Sequence, residues 1–534
     1  MNPHHSLQMS ALLLLAACTG PANATEAGSE TSQLPAPLDL PDAEIVQAYQ
    51  RAAGQNVLAA VNDKVFFGYW SVCADGQGFG YGNSYPSLDG HQMADALLRL
   101  GRLETVKANW DYVRSFQKPN GQLPLAILPG MAGKKLGATP VDASGGFYNH
   151  WVPGNPLLAL SSPTYIQNAD VLFRYTQDRT WLAAQLASVN RAADFLAELT
   201  SPQGAVRGAG YYVERPTRAE YDGVAQCHAA DAFRRIAALN RCAGNARAAL
   251  RYQQLAARVA AHFQTKFWVG DHFAEYIHPQ RGVIARHGLT DVDWSAIALD
   301  AATARQREVL WPQLKDEKRF EYGGVPTGIA TRPETYEAWE FHHPDRHDLA
   351  AMGRVWYLEC QARARMGDGK GLLESMRKVC KVGRESGYYW RERYHPDPKG
   401  VCRPAGAEKY CEYPANLIRV VQRFLLGVEF RLDGALELAP TAPPELWDAG
   451  FGQTLCWRGQ TLSYRCDRKG VTGEYRGKSA QRLCVKLAQP TETAAVQVEI
   501  DSHAAKPAVQ DGFLLVDLPA APEKPCRFAV RQGP

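Results

Sequence analysis

Residues 221–266 read YDGVAQCHAADAFRRIAALNRCAGNARAALRYQQLAARVAAHFQTK. Ala229, Ala230, Phe233, Ile236 and Ala237 recur at three- and four-residue spacing, the apolar stripe of a helix over about 221–240. Cys242-Ala243-Gly244 stops it, and a second helix is expected over 244–266. Two helices joined by so few residues lie antiparallel.

Working outward, the same pattern predicts helices near 43–62, 89–101, 104–117, 164–177, 179–200, 292–301, 303–314, 347–367, 369–384 and 409–426. Short links alternate with long loops at about 63–88, 118–163, 201–220, 267–291, 315–346 and 385–408. Strict alternation puts every long loop at one end. Six hairpins with their long loops on one rim predict a mainly α fold, an (α/α)6 toroid over 43–428. A solenoid is the competing architecture, but no repeat of fixed period is visible. From 429 to 534, stretches such as GQTLCWRGQTLSYRCDRKG and GFLLVDL alternate apolar and polar residues, predicting a small C-terminal β-sandwich-like domain.

The chain has 534 residues, 46% apolar and 21% charged, with a net charge of +4. That balance excludes a disordered chain and supplies no field that would call for nucleic acid. Residues 1–17 contain ALLLLAA and precede Cys18, the pattern of a lipoprotein signal, although no Lys or Arg precedes the apolar run. The expectation is an exported chain, lipid-anchored through Cys18 to the bacterial cell envelope at the outer membrane or in the periplasm. Residues 18–42 would then be a tether. Twelve Cys with no CxxC make a zinc ribbon improbable on spacing; Cys402 and Cys411 are near enough in sequence to bridge. His342, His343 and His347 beside Asp345 and Asp348 read as the polar start of a helix rather than a metal site, so no metal and no cofactor is expected.

The long loops hold Trp70, Trp151, Trp268, Trp339 and Trp390, with Tyr81, Tyr85, Tyr148, Tyr211, Tyr212, Tyr388, Tyr389 and Tyr394. Aromatic faces beside carboxylates and guanidiniums suit sugar rings, and they also pin long loops. Cleaving a glycosidic bond takes two facing carboxyl groups. Glu214 follows Tyr211 and Tyr212, whose rings would dehydrate it and favour the protonated acid. Glu408 enters the final helix, where backbone N–H groups would keep it ionised as a base. Arg391 and Arg393 flank Glu392 and would clamp a carboxylate, which leaves a uronic acid substrate open.

The twelve-helix alternation resembles the six-hairpin glycosidases, which include glucoamylases, trehalases and bacterial rhamnosidases. Tyr212-Val213-Glu214-Arg215 resembles the glucoamylase segment carrying the general acid, with Tyr212-Val213 standing where that motif has Trp-Glu. Glu408-Lys409-Tyr410 is similar to the trehalase Glu-Lys-Tyr whose Glu is the base. Asp89 resembles a terminal-sugar-binding Asp, and Asp293 with Trp294 resembles a pocket-lining helix start. The trehalase Gly-Trp-Asp acid segment is missing, so Asp222 and Glu220 stand as alternatives to Glu214.

The resemblance implies an exo-acting, inverting glycoside hydrolase on an oligosaccharide or glycoside. Glu214 would be acid and Glu408 base, with carboxyls about 6.5–9.5 Å apart. Trp70, Asp89, Trp151, Tyr212, Asp222, Asp293, Trp294, Trp339, Trp390, Arg391 and Tyr410 would contact sugar. Asp222 and Glu412 come next if either carboxyl proves dispensable. A phosphorylase, a polysaccharide lyase and a non-catalytic glycan-binding lipoprotein are the competing readings.

Overall fold

The computed structural model describes residues 38–61, 70–74, 88–137, 139–149, 158–208, 221–322, 325–326, 328–341, 349–395, 403–488, 496–506 and 508–532. The helices are α1 (Ala43–Arg51, continued by a π turn Ala52–Val57), α2 (Leu88–Arg99), α3 (Leu103–Ser115), α4 (Ser161–Thr176), α5 (Arg179–Glu198), α6 (Gly223–Cys242) and α7 (Ala246–Lys266). They go on with α8 (Asp291–Ala298), α9 (Ala304–Leu314), α10 (Gly353–Arg365), α11 (Gly369–Glu385) and α12 (Glu412–Val420, continued by a π turn Val421–Leu425). Most termini fall within three residues of the predicted ones. The first helix ends with its π turn at Val57 rather than 62, and α10 starts at Gly353 rather than 347, because Ala351–Met352 is drawn into a strand against Arg393–Tyr394.

The short links explain the hairpins. Each of four links carries a left-handed residue that ends one helix and a cap that starts the next. Gln177 (φ 56°), Gly244 (φ 77°), Asp300 (φ 54°) and Gly367 (φ 70°) make the turns. Asp178, Asn245, Thr303 and Asp368 then accept from the backbone N–H of Trp181, Ala248, Gln306 and Gly371. Each cap is worth about 1 kcal/mol.

Helix α2 packs on α4, α4 on α6, α6 on α8, α8 on α10 and α10 on α12, and α12 packs back on α2. Their N-termini share one rim. Gln92 and Asn416, each in its helix's second turn, meet at 2.8 Å, and the third-turn residues Asp95 and Arg419 at 2.8 Å. The middle of this helix group is polar. Asp95 accepts from Arg99, Arg419 and Arg423 (2.8–3.1 Å), while Asp170 and Asp231 share Arg235 at 2.5 and 2.6 Å. Burial pushes the Asp95 carboxyl up, but the surrounding guanidiniums outweigh it and hold it well below the usual carboxylate range.

Beyond Leu425 the chain turns to strands, interrupted by the short helix α13 (Pro444–Ala449). A five-stranded sheet runs Val428–Phe430, Leu436–Leu438, Gln481–Val485, Phe513–Leu518, Ala508–Gln510, with the second and third strands parallel. A six-stranded antiparallel sheet runs Phe451–Trp457, Gln460–Asp467, Gly470–Gly477, Ala521–Gln532, Val496–Ile500, His503–Ala505. One apolar core joins helices to strands: Tyr175 meets Phe430 edge-on at 5.0 Å, and Gln422 bonds Gln453 at 2.8 Å. Among the described residues no helix is long and apolar enough to cross a membrane.

Candidate active site at the long-loop rim

Every inner helix starts where a long loop ends, so the positive ends of the helix dipoles gather at one rim, and carboxylates collect there. Asp89 lies in the first turn of α2, Asp222 caps α6, Asp291 and Asp293 open α8, and Glu412 opens α12. All five are buried.

Three of these are occupied in holding the fold. Asp222 accepts from Val224 N–H at 3.2 Å. Asp293 forms a capping box with Thr290 and gives its other oxygen to Phe273 N–H at 2.8 Å. Both oxygens of Glu412 go to Arg354: Oε2 to Nε (3.0 Å) and Nη2 (2.7 Å), Oε1 to the backbone N–H.

Asp89 is different. It is 6% exposed, Tyr410 hydrogen-bonds it, and its Oδ1 has no partner. The charges of Arg354, Glu392 and Glu412 all bear on this group of carboxyls. Burial raises Asp89, and Glu392 adds to the rise against Arg354 and Tyr410. Burial also lifts Glu412 to about 7, against Arg354 and helped by Asp89. A site that raises buried carboxyls above their ordinary range is equipped for proton transfer.

Glu392 is fixed by its own loop. Oε1 accepts from Arg393 Nε at 2.9 Å and Oε2 from Ala407 N–H at 3.1 Å. Gly406 permits this approach: it sits at φ +71°, and a Cβ there would stand 2.2 Å from Glu392 Oε2. Tyr410 is pushed well above the phenol range by burial, then by Asp89 and Glu392. It is a hydrogen-bond donor there and a poor base.

A second buried cluster braces the rim from the loops before α8 and α10. Glu275 Oε2 receives the Tyr336 hydroxyl and His287 Nδ1, both at 2.5 Å. Glu340 takes Tyr276 and, at 2.7 Å, Arg286 Nη2. His287 stacks on Tyr336 at 3.6 Å. Burial pulls its pKa down, but Glu275 and Glu340 outweigh that and raise it.

Of the residues expected to act, Asp89 and Tyr410 meet in the carboxyl group just described. Glu408 stands outside it, its side chain 71% exposed and paired with Arg391 at 2.6 Å. Trp70, Trp294 and Trp390 are fully buried. Trp390 donates to Val379 O at 3.1 Å, so the ring pins its loop to α11. Trp339 is half-buried, with Arg281 over its ring at 4.0 Å and its Nε1 on Glu337. Glu214, Glu220, Trp151, Tyr212, Cys18 and the His342–Asp348 segment lie outside the described residues. Cys411 is buried, with Sγ 3.7 Å from Asn56 O, and the expected Cys402–Cys411 bridge falls on Cys402, which lies outside the described residues. Glu392 and Arg354 were not singled out for this site. Arg391-Glu392-Arg393 was noticed for its guanidiniums, and nothing in the sequence near Arg354 marks it.

The arrangement of helices followed by strands is shared with solved structures. The fold is similar to that of part of several α-L-rhamnosidases. The enzyme of Dictyoglumus thermophilum aligns at TM-score 0.59 and 11% identity, over 94% of this chain and 51% of that one. A GH78 family rhamnosidase of Bacillus sp. GL1 aligns at 0.59 and 12%, over 81% and 40%. A Streptomyces avermitilis α-L-rhamnosidase complexed with L-rhamnose aligns at 0.51 and 12%, over 83% and 38%. The chain thus spans about half or less of the length of these proteins. No family model and no curated protein matches its sequence.

Proposed function

We propose that the chain is a glycoside hydrolase acting from the end of an oligosaccharide or glycoside, its helices closed as a six-hairpin toroid with the sugar held at the long-loop rim. One observation carries this reading: Asp89 presents a buried, unpartnered carboxylate oxygen beside Tyr410, and burial raises both its carboxyl and that of neighbouring Glu412. An oxygen in that position is satisfied by a ligand hydroxyl. The return of α12 onto α2 supports the closed ring, and the rhamnosidase likeness favours a deoxyhexose or related sugar as the first substrate to try.

Glu214 is retained as the proposed acid. For the base we favour Glu392 over Glu408. Glu392 is 3% exposed and its charge reaches Asp89 and Tyr410, whereas Glu408 is engaged with Arg391 at the surface. Export and a lipid anchor at Cys18 complete the proposal.

The test is a screen of α- and β-linked aryl glycosides, rhamnosides included, with Glu392→Gln, Glu408→Gln and Asp89→Asn as controls. The expected result is sugar release that Glu392→Gln lowers by about 10²–10⁴-fold in kcat, with Glu408→Gln near the parent. The reverse pattern returns the base to Glu408. Saturable glycan binding without release establishes a binding protein.

A further inference from the structure

A cavity of about 40 Å³ lies among α2, α4, α6, α10 and α12. Among the described residues its wall carries the guanidiniums of Arg235, Arg354, Arg419 and Arg423 and the carboxamides of Gln92, Gln167 and Gln361, and no carboxylate. The carboxylates that pair with these guanidiniums (Asp95, Asp170, Asp231, Glu412 and Glu429) stop short of the wall.

The guanidiniums meet their carboxylates behind the wall, so the wall itself presents N–H groups and positive charge. Burial and then neighbouring guanidiniums also act on the two imidazoles in the wall. His91 is lowered to about 3 by burial and Arg419, and His228 to about 3 chiefly by burial, so both are neutral.

One donor is left over. Gln92 is 2% exposed; its Oε1 accepts from Asn416 Nδ2 at 2.8 Å, while its Nε2 is buried with no partner. A buried donor without an acceptor costs about 1–3 kcal/mol. A positive, low-dielectric cavity with a spare N–H selects an acceptor that also carries negative charge. The space of about 40 Å³ has room for a small inorganic anion.

We propose that this cavity binds one small inorganic anion, with Gln92 Nε2 as one of its donors, and that chloride is the probe that reports it. The ion sits one side chain from the rim, because Arg354 lines the cavity and also holds Glu412. The site stands on its own geometry and is independent of the hydrolase reading.

The test uses the full chain. Bromide-soaked crystals are expected to show an anomalous peak in the cavity. In solution, ³⁵Cl line broadening is expected to saturate with chloride and to be displaced by bromide. Gln92→Leu is expected to weaken chloride about tenfold or more, the loss of one hydrogen bond to a charged group. Gln167→Leu, on a different helix, serves if the first variant fails to fold. Bromide found only on surface Lys and Arg, or broadening unchanged in a folded Gln92→Leu or Gln167→Leu protein, overturns the proposal.

Discussion

Arg354 gives both its backbone N–H and its guanidinium to Glu412, so the first turn of α10 is tied to the first turn of α12 through one carboxyl group. The tie crosses 58 residues of chain and brings Glu412 beside Asp89. It makes the rim a single electrostatic unit rather than a set of separate helix starts.

Removing Arg354 leaves Glu412 and Asp89 buried without their cation. Arg354→Met is expected to cost about 3–5 kcal/mol, the usual cost of breaking a buried pair from one side. Denaturant unfolding checks this. A loss under 1 kcal/mol would mean that water or another cation already serves these carboxyls.

The raised Glu412 carboxyl fixes the sign of one pH effect. Its folded value of about 7 lies above the ordinary Glu value of 4.5, so the folded state binds the proton more tightly. Its contribution is fully present below about 4.5 and is lost as pH rises toward 7. Unfolding free energies measured between pH 4.5 and 7 should fall less steeply in Glu412→Gln than in the parent. An equal slope in both would remove the shift.

Asp95 acts in the opposite direction. Its folded value is held down by three guanidiniums, so its stabilisation is present above its unfolded value near 3.8 and is lost as pH falls through the folded one. Asp95→Asn is expected to lose about 3–5 kcal/mol at neutral pH, and the difference from the parent is expected to shrink by about 1 kcal/mol by pH 3. Unfolding of both proteins at pH 7 and pH 3 distinguishes this from a packing defect, which would cost the same at each.

Histidine titration by NMR should separate two classes. His287, between Glu275 and Glu340, is expected to titrate above 6.5, and its stabilisation to fade as pH rises through that point. His91 and His228 should stay neutral down to about 3. Glu275→Gln should lower the His287 midpoint; an unmoved midpoint would place its partner elsewhere.

Glu408→Gln is expected to change stability by no more than about 0.5 kcal/mol, because an exposed ion pair contributes little. Thermal melting beside the kinetic comparison shows whether any activity change at Glu408 is chemical.

Much of the helix layout was readable because it rests on local signals. Gly244-Asn245 and Gly367-Asp368 end one helix and cap the next within a few residues, and the apolar stripe of 221–240 repeats at helical spacing whatever it packs against. The start of α10 was misread because Ala351–Met352 pairs with a strand more than forty positions away, a preference that no local window contains.

The candidate site was read only in part for the same reason. Asp89 and Tyr410 stand out in the sequence, as does Glu408 at a helix start within a short motif, whereas nothing local distinguishes Glu392 as a buried carboxylate. Which carboxylate faces inward depends on Gly406 admitting Glu392 and on Arg354 turning toward Glu412. Sequence alone determined the alternation of helices, the shift to strands after residue 428, and the pool of loop carboxylates and aromatics. Tertiary structure alone decided which carboxyls share a field, which Trp rings are buried, and that the space between the helices is lined with charge. Caps and apolar periodicity act over a few residues, whereas charge, burial and donor count at a site are sums over segments hundreds of residues apart.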